Sequence, residues 1–157
     1  MENEDFFEAC ELGDIETVKK LLKLNPEFVH ARDQYKFTPL HLAAGDVLEI
    51  AKILLANGAD LHAVDDDGST PLHCALYPEM TDFLISKGAK LNALDNNGDT
   101  PLIGLASEDE GYESMEVLLE AGASPSIKNK NGETALDIAR GRGEEDKIEM
   151  LLEFLNS

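Results

Sequence analysis

The chain has 157 residues, 43% of them apolar and 29% charged. Its 32 acidic side chains outnumber 13 basic ones, for a net charge of −19 and a pI near 4.3. At this length one domain is expected, with roughly 70% of the unfolded surface buried, and the apolar share is too high for a disordered acidic tail. Such a charge repels phosphate backbones and anionic headgroups, so neither nucleic acid nor a membrane surface is an expected partner.

The opening residues, Met1 to Asp5, are acidic and no apolar run follows them, so no secretory leader is expected. No stretch approaches the roughly 18 apolar residues that a membrane span requires. Cys10 and Cys74 lie in apolar-patterned segments without metal or redox spacing, and read as reduced, buried thiols in a cytoplasmic setting.

Comparison of the chain with itself is more informative. Thr38-Pro39-Leu40-His41 returns as Thr70-Pro71-Leu72-His73, as Thr100-Pro101-Leu102-Ile103 and as Thr134-Ala135-Leu136-Asp137, at spacings of 32, 30 and 34. Gly58-Ala59, Gly88-Ala89 and Gly122-Ala123 recur in step, at 30 and 34. Leu21-Leu22, Leu54-Leu55, Leu84-Ile85, Leu118-Leu119 and Leu151-Leu152 give a third register. Three markers in phase indicate about five units: 1–32, 33–64, 65–94, 95–128 and 129–157.

In chain order, Thr38-Pro39 reads as a helix start, since the hydroxyl caps a free N–H and proline suits the first turn. A short helix over 38–44 is expected to follow, its alanines admitting a close neighbour. A second helix spans 49–56, with Ile50, Ile53 and Leu54 at helical spacing. Gly58 ends it, because glycine accepts the left-handed conformation at helix ends. Asp65-Asp66-Asp67-Gly68 is turn chemistry, as is Asp95-Asn96-Asn97-Gly98 further on. The distance from each Gly-Ala to the next Thr is 12, whereas that from Thr to Gly-Ala is 20, 18 and 22. The turn between units is therefore rigidly specified, and length varies between the two helices of a unit.

These motifs resemble ankyrin repeats, over essentially the whole chain. The resemblance implies an all-α solenoid of stacked helix-turn-helix units joined by β-turn or hairpin loops. Glu8 to Val18 is similar to the second half of an ankyrin first helix and its continuation, in an N-terminal cap lacking Thr-Pro. The segment through Leu155 lacks Gly-Ala, as a C-terminal cap would. Departures from the family pattern are Lys36 at the turn glycine, Pro78 in a short third unit, and Ile103 with Gly104 in the fourth. The fourth unit also carries a longer acidic loop, Ser107 to Tyr112.

No catalytic pattern is present: neither a phosphate-binding glycine loop nor a Gly-x-Ser-x-Gly elbow occurs. The resemblance implies that His41 and His73 tie the turns together by hydrogen bonds. His30 and His62 have no partner at metal-ligand spacing. The Asp65 turn is interrupted by Ser69 and Thr70, which is not an EF-hand pattern. No enzyme activity, cofactor or metal is expected.

Ankyrin partners usually bind a concave face lined by turn tips and first helices. Carried over by position, the tips present Tyr35, Phe37, Asp66, Asp67, Ser69, Asn96, Asn97 and Asp99. The ends of the first helices and the long loop add Tyr77, Glu108, Asp109 and Tyr112. Exposed aromatics are favoured anchors at interfaces. Between Asp60 and Glu120 there are 14 acids and only Lys87 and Lys90 as bases, a net of −12. Lys128, Lys130, Arg140 and Arg142 make the far end more basic. The expected function is protein binding by a monomer, through an acidic face that takes a partner with a basic surface. One version is an immunity or inhibitor protein for a basic toxin or nuclease, its acids standing in for phosphates. Two alternatives are a scaffold without a dedicated partner, and a substrate for asparaginyl hydroxylases at Asn92, whose setting in Gly88-Ala89-Lys90-Leu91-Asn92 resembles their site.

Overall fold

A computed structural model describes residues 2–156, the side chains of residues 2 and 3 excepted. The described residues form nine α-helices: α1 (Glu2–Leu12), α2 (Ile15–Leu24), α3 (Pro39–Asp46), α4 (Leu48–Ala56), α5 (Pro78–Ser86), α6 (Pro101–Ala106), α7 (Tyr112–Glu120), α8 (Ala135–Arg142) and α9 (Glu145–Asn156). Two 3-10 turns, Pro26–His30 and Pro71–Cys74, complete the set, and no strand occurs among the described residues.

The caps follow from the Thr-Pro-Leu-His motif. At α3 the Thr38 side chain accepts from the His41 amide, and the His41 ring accepts from the Thr38 amide. The same reciprocal box starts the turn at Thr70 and, with Asp137 replacing the histidine, starts α8. Ile103 cannot return the bond, so Thr100 caps α6 alone. Gly58, Gly88 and Gly122 all have φ above +90°, where glycine is tolerated at a helix end.

The chain stacks in two rows. Along one row α1 packs on α3, α3 on the Pro71–Cys74 turn, that turn on α6, and α6 on α8. Along the other α2 packs on α4, α5 on α7, and α7 on α9. Between the rows runs one continuous core that includes Phe6, Leu40, Ile50, Leu54, Leu72, Met80, Leu84, Leu102, Leu118 and Leu151. Phe6 stacks on Phe28 at 5.4 Å and closes the N-terminal end. Burying each such side chain contributes about 1.5–3 kcal/mol, so this core is the main source of stability.

The third unit departs from its neighbours. Its first helix is the four-residue 3-10 turn Pro71–Cys74, after which Ala75 and Tyr77 are extended. Pro78 explains the break, because it removes an amide and disfavours a helical residue before it. The freed carbonyls are still satisfied: Thr81 Oγ1 donates to Ala75 and Tyr77, and Ser114 Oγ donates to Leu76 at 2.8 Å. Both hydroxyl residues are fully buried.

Candidate functional site

The four turn tips share one construction. Asp33, Asp65, Asp95 and Asn129 each accept, through Oδ1, the amides two and four residues on, at 2.8–3.0 Å. Each of the last three tips then donates one backbone bond to the tip before it: Asp66 to Tyr35, Asn96 to Asp67 and Lys130 to Asn97. His41 and His73 add rungs, their Nε2 atoms lying 2.9 Å from the Ser69 carbonyl and 3.1 Å from that of Asp99. Because the Thr amide donates to each Nδ1, the neutral ring with its proton on Nε2 fits both ends. Burial holds both rings below the usual histidine range, outweighing the hydrogen bonds to the carbonyls.

This construction sorts the expected tip residues. Tyr35, Asp66, Asp67, Asn96 and Asn97 are exposed. Phe37, Ser69 and Asp99 are half-buried, because the fifth position of each tip turns inward to close the loop. Phe37 lies edge-on against His41 with ring centroids 5.6 Å apart, so it covers the cap of α3 and does not stand free in solvent as expected. Asp66 pairs with Lys36 at 2.5 Å, and Asp99 accepts from the Asn129 amide group at 2.9 Å.

A second cluster gathers at the C-terminal ends of the first helices of the third and fourth units. Tyr77, Asp109 and Tyr112 line one cleft of about 310 Å³ with Leu76, Pro78, Glu110 and Glu113. The Tyr77 hydroxyl reaches Glu110 at 3.5 Å, and both tyrosines keep over a third of their surface exposed. The carboxylates of Glu110 and then Asp46 hold the Tyr77 phenol above its usual range, which registers the negative potential there. Glu108 is exposed on the same loop. The twelve expected residues therefore fall in two groups, eight on the tips and four about the 107–112 loop. Between them lies the length of a first helix, about 9 Å for the six residues of α6.

Lys147 and Arg142, from the C-terminal helix pair, hold the acidic loop. Lys147 is buried, and its Nζ donates to the carbonyls of Leu105, Glu108 and Glu110, with 3.3 Å to the first and last. Arg142 pairs with Asp109, and with Glu144 at 3.6 Å. The basic far end is thus partly consumed in anchoring the loop. Lys147 was legible as an anomaly: it shares the apolar stripe of α9 with Met150 and Leu151, at helical spacing.

Neither thiol is poised for chemistry, since burial pushes Cys10 and Cys74 up to about 12. No cluster of metal-ligating side chains occurs among the described residues, and none of their helices is long and apolar enough to cross a membrane. Asn92 is exposed, and its Oδ1 accepts from the Ser124 amide at 2.9 Å.

The family model described as ankyrin repeats (3 copies) matches residues 6–95 and 76–156. The chain belongs to the ankyrin-repeat family. Ankyrin repeats are a non-catalytic scaffold for protein–protein interaction, and the stacked tips and two helical rows are that architecture. No curated protein matches the chain. Of the departures from the repeat pattern in this ankyrin protein, Lys36, Pro78 and the 107–112 loop fall in the two clusters, whereas Ile103 and Gly104 lie within α6.

Proposed function

We propose that this chain binds a partner protein with a basic surface, through the acidic side that carries the tips and the Tyr77–Tyr112 cleft. The observation that carries this reading is the cleft: two exposed tyrosines set among Asp109, Glu110 and Glu113. Tyrosine supplies contact area at low entropic cost, and carboxylates around it select and steer a cationic partner. The segment that walls the cleft, Ala75–Tyr77, is held from both sides by buried hydroxyls, so little ordering is left for binding to supply. Asp67, Asn96, Asn97 and Tyr35 extend the surface along the tips, with Asp66, Ser69, Asp99 and Phe37 supporting them. Glu108 adds charge above the cleft.

The test is capture from lysate at about 20 and 300 mM salt, with the wild-type chain and Tyr77→Ala/Tyr112→Ala as parallel baits. The expected result is a basic protein held at low salt, released at high salt and lost with the variant. A captured set with no bias toward basic proteins, equal on both baits, overturns the reading. A nuclease or other toxin in the captured set would make the inhibitor version the specific one.

A further inference from the structure

Asparagine followed by glycine is a reactive pair, because the glycine has no side chain to shield its amide nitrogen from the asparagine side chain. The chain holds three such pairs, Asn57-Gly58, Asn97-Gly98 and Asn131-Gly132, and all three asparagines are exposed. What separates them is how firmly the surroundings fix the backbone. Asn57 closes α4: its Nδ2 donates to the Ile53 carbonyl at 2.8 Å, and the Gly58 and Ala59 amides donate to Leu55 and Leu54. Nothing lies within 4 Å of a Cβ on Gly58, so the bonds of the helix end are what hold this pair.

Asn97 sits in the third tip, with the fourth laid over it. Gly98 is buried, a Cβ there would lie 3.1 Å from the Lys130 nitrogen, and the Asn97 carbonyl accepts from the Lys130 amide at 2.9 Å. Asn131 has the same place in the fourth tip, the last among the described residues. Its Gly132 is exposed, and a Cβ there meets nothing within 4 Å. Both tips keep the local turn bond, from Gly98 to Asp95 at 3.0 Å and from Gly132 to Asn129 at 2.9 Å. The two pairs therefore share a turn and differ in cover. The Asn131 side-chain amide donates to Glu133 at 3.5 Å, the outer limit of a hydrogen bond.

We propose that Asn131 is a site of spontaneous deamidation in the native chain, an inference that stands apart from the partner reading. The Gly132 nitrogen, once solvent has taken its proton, attacks Asn131 Cγ. The new C–N bond closes a five-membered succinimide, the Cγ–Nδ2 bond breaks, and ammonia leaves with a proton returned by solvent. Water then adds to one of the two ring carbonyls, and the bond from that carbon to the Gly132 nitrogen breaks. Opening at Cγ gives aspartate, and opening at the main-chain carbonyl gives isoaspartate. Water is the only reagent consumed. Local opening of the last tip breaks fewer contacts than opening of the third, so the reactive geometry is reached more often there. Either product places a negative charge beside Lys130. Isoaspartate also adds a backbone methylene between the Asn131 and Glu133 amides, both of which Asn129 Oδ1 holds at 3.0 Å, and so loosens the tip.

The experiment incubates the chain at mildly alkaline pH, native and unfolded in guanidinium, and follows each Asn-Gly pair by peptide mapping and mass spectrometry. Digestion at acid pH keeps the glycine amides protonated and prevents further reaction. In the native chain Asn131 is expected to convert about tenfold faster than Asn97 and faster than Asn57, with aspartate and isoaspartate both formed. In guanidinium that ranking should collapse to similar rates, since neither tip nor helix end remains. Native conversion of Asn131 no faster than that of Asn97 overturns the proposal. Conversion of Asn57 ahead of Asn131, or of no pair in the native chain while all three convert in guanidinium, overturns it as well. A ranking that persists in guanidinium also does so, because sequence context and not the uncovered tip would then set the rates.

Discussion

Lys36 stands at φ +62°, a backbone angle that the other three tips give to Gly68, Gly98 and Gly132. A side chain there costs about 1 kcal/mol against glycine, and the exposed pair with Asp66 returns only a fraction of that. Lys36→Gly is therefore expected to raise stability by about 0.5 kcal/mol in 0.5 M salt, where the pair is screened, as read from urea unfolding. A lower midpoint would show that the pair outweighs the strain. His41 and His73 give the second expectation at this scale. Their folded pKa values lie below the unfolded ones, so between the two the unfolded chain binds more protons. Stability should be complete above about pH 6.5 and decline as pH falls from there toward the folded values. Urea midpoints at pH 7.5, 6.5 and 5.5 check this, and His41→Gln/His73→Gln should flatten the profile. The half-burial of Phe37, shared with Ser69 and Asp99, belongs here too: position within the tip, not residue type, decided it.

At the scale of elements the tips can be tested by a matched set. A Cβ on Gly68 would lie 2.7 Å from Asn96 Oδ1, and one on Gly98 would lie 3.1 Å from the Lys130 amide nitrogen. One on Gly132 meets nothing within 4 Å. All three have φ between +77° and +79°, so the conformational strain is shared and the contact differs. Gly68→Ala and Gly98→Ala should each lower stability by about 1 kcal/mol more than Gly132→Ala, measured by thermal or urea unfolding. Equal losses would mean that the tips do not support one another. The hold of Lys147 on the 107–112 loop makes a further prediction. Lys147→Met removes the cation from three carbonyls, with an expected cost of about 2 kcal/mol. It should also speed cleavage after Glu108 and Glu110 by a glutamate-specific protease, at a temperature where both proteins remain folded. Unchanged cleavage would show that Arg142 alone holds the loop.

These elements differ in how far the sequence announces them. Thr-Pro starts and Gly-Ala ends are local chemistry, so α3, α4, α6 and α7 lie within a few residues of where their motifs place them. The 3-10 turn at Pro71–Cys74 was harder to read, since its motif matches that of α3 and only Pro78 shortens it. What joins residues more than 30 positions apart was not legible: Arg142 with Asp109, and Lys147 with the 105–110 carbonyls. Such pairs depend on how far each unit rotates on the last, which repeat spacing leaves open.

For the whole molecule, a net charge of −19 on one small domain is a standing repulsion. Salt that screens it should raise the melting temperature of the free chain between 20 and 300 mM, while weakening its hold on a cationic partner. That opposition separates the two roles of the charge, because solubility alone predicts the first effect and not the second. The central claim is that charge around the tyrosine cleft selects a basic partner. Its most direct test is an affinity measurement on the captured protein at 20 and 300 mM salt, for the wild type and for Glu110→Gln/Glu113→Gln. The account predicts tight binding at low salt, a steep loss at high salt, and about a tenfold weaker, salt-flattened affinity in the variant. An affinity that neither salt nor the two neutral substitutions change would contradict it.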